Sequence, residues 1–196
     1  MISTLDELEA VFWRELMTVL GYELDNPKWE QNPPVRRSWQ TQGQPGWGIN
    51  ENILFFKIYD ESGQDITVPV DTILTDLDED IEVSKGQTRV LRVNMIAYGP
   101  NSYDNLIHIR NYFQSNVSNR LKENKIYLIP RSDTPYRVPE LFLQQWWDRC
   151  DLNLWFNCLM TYTYKINEIK TVPVTVYGNT SGETVLKSHK KITKGD

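Results

Sequence analysis

The stretch CDLNLWFNCLMTYTY, residues 150–164, decides how this chain folds. Its even positions read Cys150, Leu152, Leu154, Phe156, Cys158, Met160, Tyr162 and Tyr164, while the odd ones are mostly Asp, Asn and Thr. A period of two sends the two sets to opposite faces of an extended strand, so one face of this segment belongs in a core. Cys150 and Cys158 then lie about 26 Å apart along one strand, beyond disulfide reach. They act as small apolar residues. Two Cys and two His at these spacings do not make a zinc site either.

Working outward, RSDTPYRVPELFLQQWWDR (131–149) is an aromatic, proline-punctuated connection, preceded by a short strand at Ile126–Ile129. Before that, Asn101 or Ser102 opens a helix whose apolar stripe is Leu106, Ile109, Phe113, Val117 and Leu121, with Lys122 and Lys125 at its C-terminal end. Val83–Tyr98 reads as a strand with Leu91, Val93, Met95 and Ala97 on one face, ended by Gly99-Pro100. Ile53–Tyr59 is a strand apolar on both faces apart from Lys57. Between the two, DTILTDLDEDIE (71–82) holds six acids and no base, which suits an exposed loop or a hairpin edge. At the N-terminus, Thr4 and Glu7 fit a capping box for a helix with Leu5, Leu8, Phe12, Leu16, Val19 and Leu20 on one face and Gly21 as its stop. LDNPKWEQNPP (24–34) is a loop, Val35–Gln40 a short extended piece, and QGQPGWGIN (42–50) a shaped loop around Trp47.

Downstream, Thr171–Tyr177 is a last strand, with Pro173 hinting at an edge. The expected fold is therefore α+β: a single antiparallel or mixed sheet of five or six strands with two helices packed on one face. One domain covers 1–177; residues 178–196, polar and basic, form a C-terminal tail that should be unordered alone.

Composition bounds the function. With 40% hydrophobic and 24% charged residues the chain can fold as a globule. Its 7 Trp, 10 Tyr and 6 Phe suit either a surface that meets other proteins or an aromatic-rich core. A net charge of −5 argues against a general grip on nucleic acid, which needs clustered Lys and Arg. No run approaches the roughly 18 apolar residues of a membrane span, and acids stand where a signal peptide would carry bases, so synthesis in a cytoplasm is expected. No P-loop, Rossmann fingerprint, nucleophile elbow or zincin motif occurs. His108 sits within a helix, where a satisfied surface residue is commoner than a base. The carboxylates at 76–80 lack the alternating ligands and glycine of a calcium loop. The reading is of a non-enzyme without metal or cofactor.

Three segments carry a more specific signal: RRSWQTQGQPGWGINENILFFKIY (36–59), AYGPNSYDN (97–105) and RVPELFLQQWWDRCDLNLWFN (137–157). Together they resemble the blocks of the tailed-bacteriophage neck, or tail terminator, proteins, over about 36–177. The resemblance implies a structural virion protein, assembled in the host cytoplasm. Such a protein forms a homo-hexameric ring at the head-proximal end of the tail tube, halts tube growth and meets the head-side connector or stopper protein. Genomic DNA would pass through without specific binding.

A head-to-tail ring needs two different patches. Trp39, Gln44, Pro45 and Trp47 on one loop, with Trp146 and Trp147 on another, are the candidates for that contact. The alternative is that these Trp residues plug the ends of the chain's own sheet, and Trp146 and Trp147, as neighbours, cannot both point inward in an extended segment. Asp76, Asp78, Glu79 and Asp80 are candidates for an acidic loop facing the lumen, where they would repel DNA, or else for a solvated outer loop. Rival readings are a head-completion stopper, a tail-tube subunit, and a small hydrolase using carboxylates such as Asp104 around His108.

Overall fold

Helix α1 (Leu5–Val19) starts where the capping box lies. Thr4 is extended, its hydroxyl accepts the Glu7 N–H at 3.2 Å, and the Glu7 carboxylate accepts the Ser3 and Thr4 amides at 2.8 and 3.3 Å. The Ser3 amide, the Ser3 hydroxyl (3.0 Å) and the Thr4 amide, all donating to it, hold the Glu7 carboxyl below its ordinary value. The computed structural model describes residues 2–38, 43, 45–61, 69–77, 80–130, 133–167, 171–180 and 183–193, with side chains described outside 62–85 and 165–196. From α1, Leu8, Phe12, Leu16, Met17 and Val19 are buried, whereas Leu5, expected on the same stripe, is exposed at the first turn.

The loop after α1 contains one helical turn, α2 (Lys28–Gln31), pinned by Trp29, whose indole N–H donates to the Glu23 carbonyl at 2.9 Å. The strands that follow are β1 (Val35–Arg37), β2 (Ile53–Asp60), β3 (Pro69–Leu77) and β4 (Asp80–Tyr98). Helix α3 (Ser102–Gln114) and the short α4 (Asn119–Glu123) precede β5 (Ile126–Ile129), β6 (Tyr136–Arg137), β7 (Glu140–Phe142), β8 (Gln145–Trp147), β9 (Arg149–Asn167), β10 (Thr171–Thr180) and β11 (Glu183–Thr193).

These elements gather into two compact units: residues 1–71 with 85–162, and residues 72–84 with 163–196. In the first unit the sheet runs β1-β2-β4-β9-β5, with β6 also paired to β9: six strands. β1 is parallel to β2, while β2–β4, β5–β9 and β6–β9 are antiparallel. The fold is α+β with a mixed sheet of six strands and two long helices, as the sequence led us to expect; the described residues also hold two short helices, α2 and α4, that it did not. Leu152, Leu154, Phe156, Cys158 and Met160 are all buried, as the period of two requires. Phe156 is met edge-on by Phe12 of α1 at 5.0 Å and by Phe113 of α3 at 5.4 Å. Both cysteines are free and buried; desolvation pushes the Cys158 thiol up to about 11 and raises that of Cys150. Glu15, buried in α1, accepts from Arg120 of α4 at 2.6 Å and from the Tyr112 hydroxyl of α3 at 2.8 Å, tying three helices together.

Two expectations are corrected here. The second long helix does not continue to Leu121: it ends at Gln114, Asn116 turns left-handed (φ 52°), and Ser118 caps α4 by accepting the Leu121 N–H at 3.1 Å. That reset leaves Val117 exposed and puts Leu121 in the core. The connection 131–149 is also more regular than expected, carrying β6 and a β7–β8 hairpin.

In the second unit, β3 pairs with β4, so the described residues of the acidic stretch 71–82 lie on two paired strands. β10 and β11 form an antiparallel hairpin from Thr171↔Thr193 to Thr180↔Glu183. Residues expected to lack order alone thus satisfy their backbone groups by pairing. The ladder shifts register between Val176 and Tyr177, where Val176 faces Ser188 and Tyr177 faces Leu186; Lys187 is the extra residue.

Candidate functional site

Arg36 organises the first wall of the site. It is almost fully buried in β1 although charged. Its guanidinium donates to the Pro33 carbonyl at 2.8 Å, to the Pro45 carbonyl at 2.5 Å and to Asn32 Oδ1. Burial pulls it below the usual arginine value, a change partly offset by the charge of Glu51. The same guanidinium lies 5.7 Å from the ring of Trp47 and 5.9 Å from that of Phe55. One buried cation therefore seats the loop that carries Pro45 and Trp47.

Trp47 in turn packs against Phe55 at 5.1 Å, Tyr98 at 5.6 Å and Trp147 at 6.2 Å, and Trp147 against Phe142 at 6.1 Å. Tyr98 donates its hydroxyl to Glu140 Oε2 at 2.8 Å; burial and that bond push its pKa up to about 12. Arg149 holds Asp151 through two bonds of 2.8 and 2.9 Å and reaches Glu140 at 3.3 Å, which keeps its guanidinium firmly charged.

The backbone brings these groups together at Gly99. Its φ of 101° is a left-handed value, and a Cβ there would stand 2.4 Å from the Glu51 carbonyl oxygen. The Gly99 N–H donates to the Asp148 carbonyl at 3.1 Å, and the Asn101 N–H to Asn52 Oδ1 at 3.0 Å. Segments 36–59, 97–105 and 137–157, far apart in sequence, thus converge. Between them lies an open groove of about 340 Å³ lined by Gly46, Trp47, Tyr98, Glu140, Phe142 and Trp147. The indole N–H groups of Trp47 and Trp147 are buried without a hydrogen-bond partner among the described residues.

One rim of the groove is the β7–β8 hairpin. Phe142 pairs with Gln145, leaving Leu143 and Gln144 as a two-residue turn at φ 48° and 61°. Such turns normally use Asn and Gly because both positions are left-handed. Here a leucine holds one of them and is 80% exposed, beside exposed Leu141, Phe142 and Trp146. A hairpin that displays apolar side chains on a strained turn suits a surface made for a partner.

Of the sequence candidates, Trp47 and Trp147 come together at the groove and Pro45 is held behind it by Arg36, while Trp146 is 66% exposed. Trp39 and Gln44 lie outside the described residues, as do Asp78 and Glu79. Asp76 and Asp80 fall on β3 and β4, with their side chains not described. Sequence reasoning missed Arg36, Tyr98, Glu140, Phe142 and Leu143. The alternation in ELF…QWW was the available signal for a hairpin, but without Gly or Asn at its turn it read as a loop. His108 is exposed, and its Nε2 bonds the Val19 carbonyl at the end of α1 at 3.0 Å. Among the described residues no three His, Cys, Asp or Glu gather as around a metal, and no helix is long and apolar enough to cross a membrane.

A search of curated proteins finds no match to the chain. A family model described as phage neck terminator protein matches residues 6–182, nearly the whole chain and all three converging segments, and the chain belongs to that family.

Proposed function

We propose that this phage neck terminator chain is a structural virion component that closes into a homo-hexameric ring on the head-proximal end of the tail tube. There it halts tube growth and presents its other face to the head-side connector. It works without catalysis and lets genomic DNA pass. The observation that carries this reading is the pairing of an aromatic groove with an exposed apolar hairpin, in a chain of this family. A concave and a convex apolar surface on one subunit are what head-to-tail closure needs. Trp39, Gln44, Pro45, Trp47, Trp146 and Trp147 remain the proposed contact residues, joined by Leu143. The acidic hairpin with Asp76, Asp78, Glu79 and Asp80 is proposed to face the lumen and repel DNA.

The test is a phage deleted for this gene. Tails of uncontrolled length that fail to join heads, seen by electron microscopy, are the expected result; tails of normal length attached to heads would refute the role. Native mass spectrometry of the purified chain with tail-tube protein is expected to show six copies per tube end.

A further inference from the structure

The β7–β8 hairpin has two faces, and the single chain covers one of them. Pairing of Glu140 with Trp147, Leu141 with Trp146 and Phe142 with Gln145 sets Glu140, Phe142 and Trp147 on the face that lines the groove. The alternation of a strand puts Leu141 and Trp146 on the other face, where they are 58% and 66% exposed. At the tip, Leu143 is 80% exposed on a left-handed backbone that a leucine adopts only at a cost. A two-stranded hairpin is marginal in water, and here its second face is bare. With Phe142, these side chains offer roughly 500 Å² of apolar surface, more than half of what one partner brings to a standard interface.

Charge does not keep a second copy away from this face. The whole chain is at −5 and repels itself at a distance. Around the hairpin, however, Arg137 is paired with Asp148 at 2.8 Å, and Arg149 with Asp151 at 2.8 Å and with Glu140 at 3.3 Å. With its charges already paired, the groove selects an apolar, uncharged occupant. Its wall is also unfinished, because the buried indole N–H groups of Trp47 and Trp147 lack a partner among the described residues. The hairpin tip carries what such a groove takes: the side chain of Leu143 and, on exposed Gln144 beside it, an amide carbonyl that can accept from such donors. Groove and bare face lie on opposite sides of one hairpin, so each copy that covers its neighbour's bare face presents its own to the next. We propose that Leu143 of one copy enters the Trp47–Trp147 groove of the next, with Leu141 and Trp146 covered at the same contact. This rests on the ring proposed above and names the contact that closes it head to tail.

Two substitutions separate tip from groove without touching the core. Leu143→Asp charges the exposed tip, and Gly46→Leu fills the groove from its own wall, at a position where a Cβ meets nothing within 4 Å. Thermal melts of both, with Leu143→Ala and Gly46→Ala as milder variants, separate misfolding from lost assembly. Assembly on tail-tube protein, followed by native mass spectrometry, is expected to be about ten-fold weaker for each variant alone. A one-to-one mixture is expected to stop at pairs holding one copy of each. In such a pair one sound tip meets one sound groove, and the remaining tip and groove are both spoiled. Leu143→Cys and Gly46→Cys chains, prepared separately and mixed on the tube under oxidant, are expected to cross-link between copies, the native thiols being buried. Wild-type assembly by both variants overturns the contact, and so does a ring that gives no cross-link. Loss in Gly46→Leu with none in Leu143→Asp assigns the groove to a different partner and also overturns the proposal. If wild-type chain never assembles on the tube, the ring itself falls, a result distinct from a ring indifferent to tip and groove.

Discussion

Gly99 is the residue on which three distant segments close, and it leaves no room for a side chain. With a left-handed φ and a carbonyl 2.4 Å from the missing Cβ, Gly99→Ala is expected to cost about 2 kcal/mol or more, read from urea unfolding. Gln144 is the reverse case: it holds a left-handed position that glycine prefers, so Gln144→Gly is expected to stabilise the monomer by about 1 kcal/mol in the same assay. Tyr98 gives a pH signature. Its folded pKa stands near 12 against an ordinary 10.0, so the folded state holds that proton more tightly than the unfolded one. The resulting stability is fully present below about pH 10 and is lost as pH rises toward about 12. Tyr98→Phe is expected to flatten the decline of stability across that window; an unchanged slope would show that Tyr98 is not its source. The residues behind these effects differ in how readable they were. A glycine before a proline announces a turn, but nothing local ties Arg36 or Tyr98 to the groove, because Pro45 lies 9 residues from Arg36 and Glu140 lies 42 from Tyr98.

At the scale of elements, legibility followed periodicity. β9 alternates cleanly because its even-numbered side chains from Cys150 to Met160 are buried, Phe156 against Phe12 and Phe113, and α1 carries both a capping box and a stripe. Phe156→Ala, removing the ring shared by Phe12 and Phe113, is expected to cost about 3–5 kcal/mol in urea unfolding. The α3–α4 break escaped the pattern because Phe113, Val117 and Leu121 keep helical spacing straight through it. What ends α3 is the left-handed Asn116 and the Ser118 cap, both polar and unremarkable in sequence. The β7–β8 hairpin escaped for a related reason. Its turn uses Leu143-Gln144, so the usual chemical mark of a tight turn is missing.

For the whole molecule, the expected class held while the arrangement of the site depended on long-range convergence. No window of the sequence contains the groove; its lining runs from Gly46 to Trp147. The three resembling blocks did point to it, since each supplies part of one wall. Surface and core can be told apart at this scale. Leu143→Ala and Trp146→Ala remove exposed side chains, so the monomer is expected to melt within about 2 °C of wild type. The same variants are expected to join tail tubes several-fold more weakly in co-sedimentation. A large loss of melting temperature would instead show that the hairpin tip belongs to the chain's own core.

The two thiols of β9 give the molecule a built-in clock. Both sulfurs are shut in the sheet, and desolvation keeps them in the unreactive protonated form at neutral pH. An alkylating reagent can reach them only when the central strand detaches from its neighbours. In excess reagent, the rate of mass gain would measure the opening of the sheet itself, and seating the subunit in a particle should slow it.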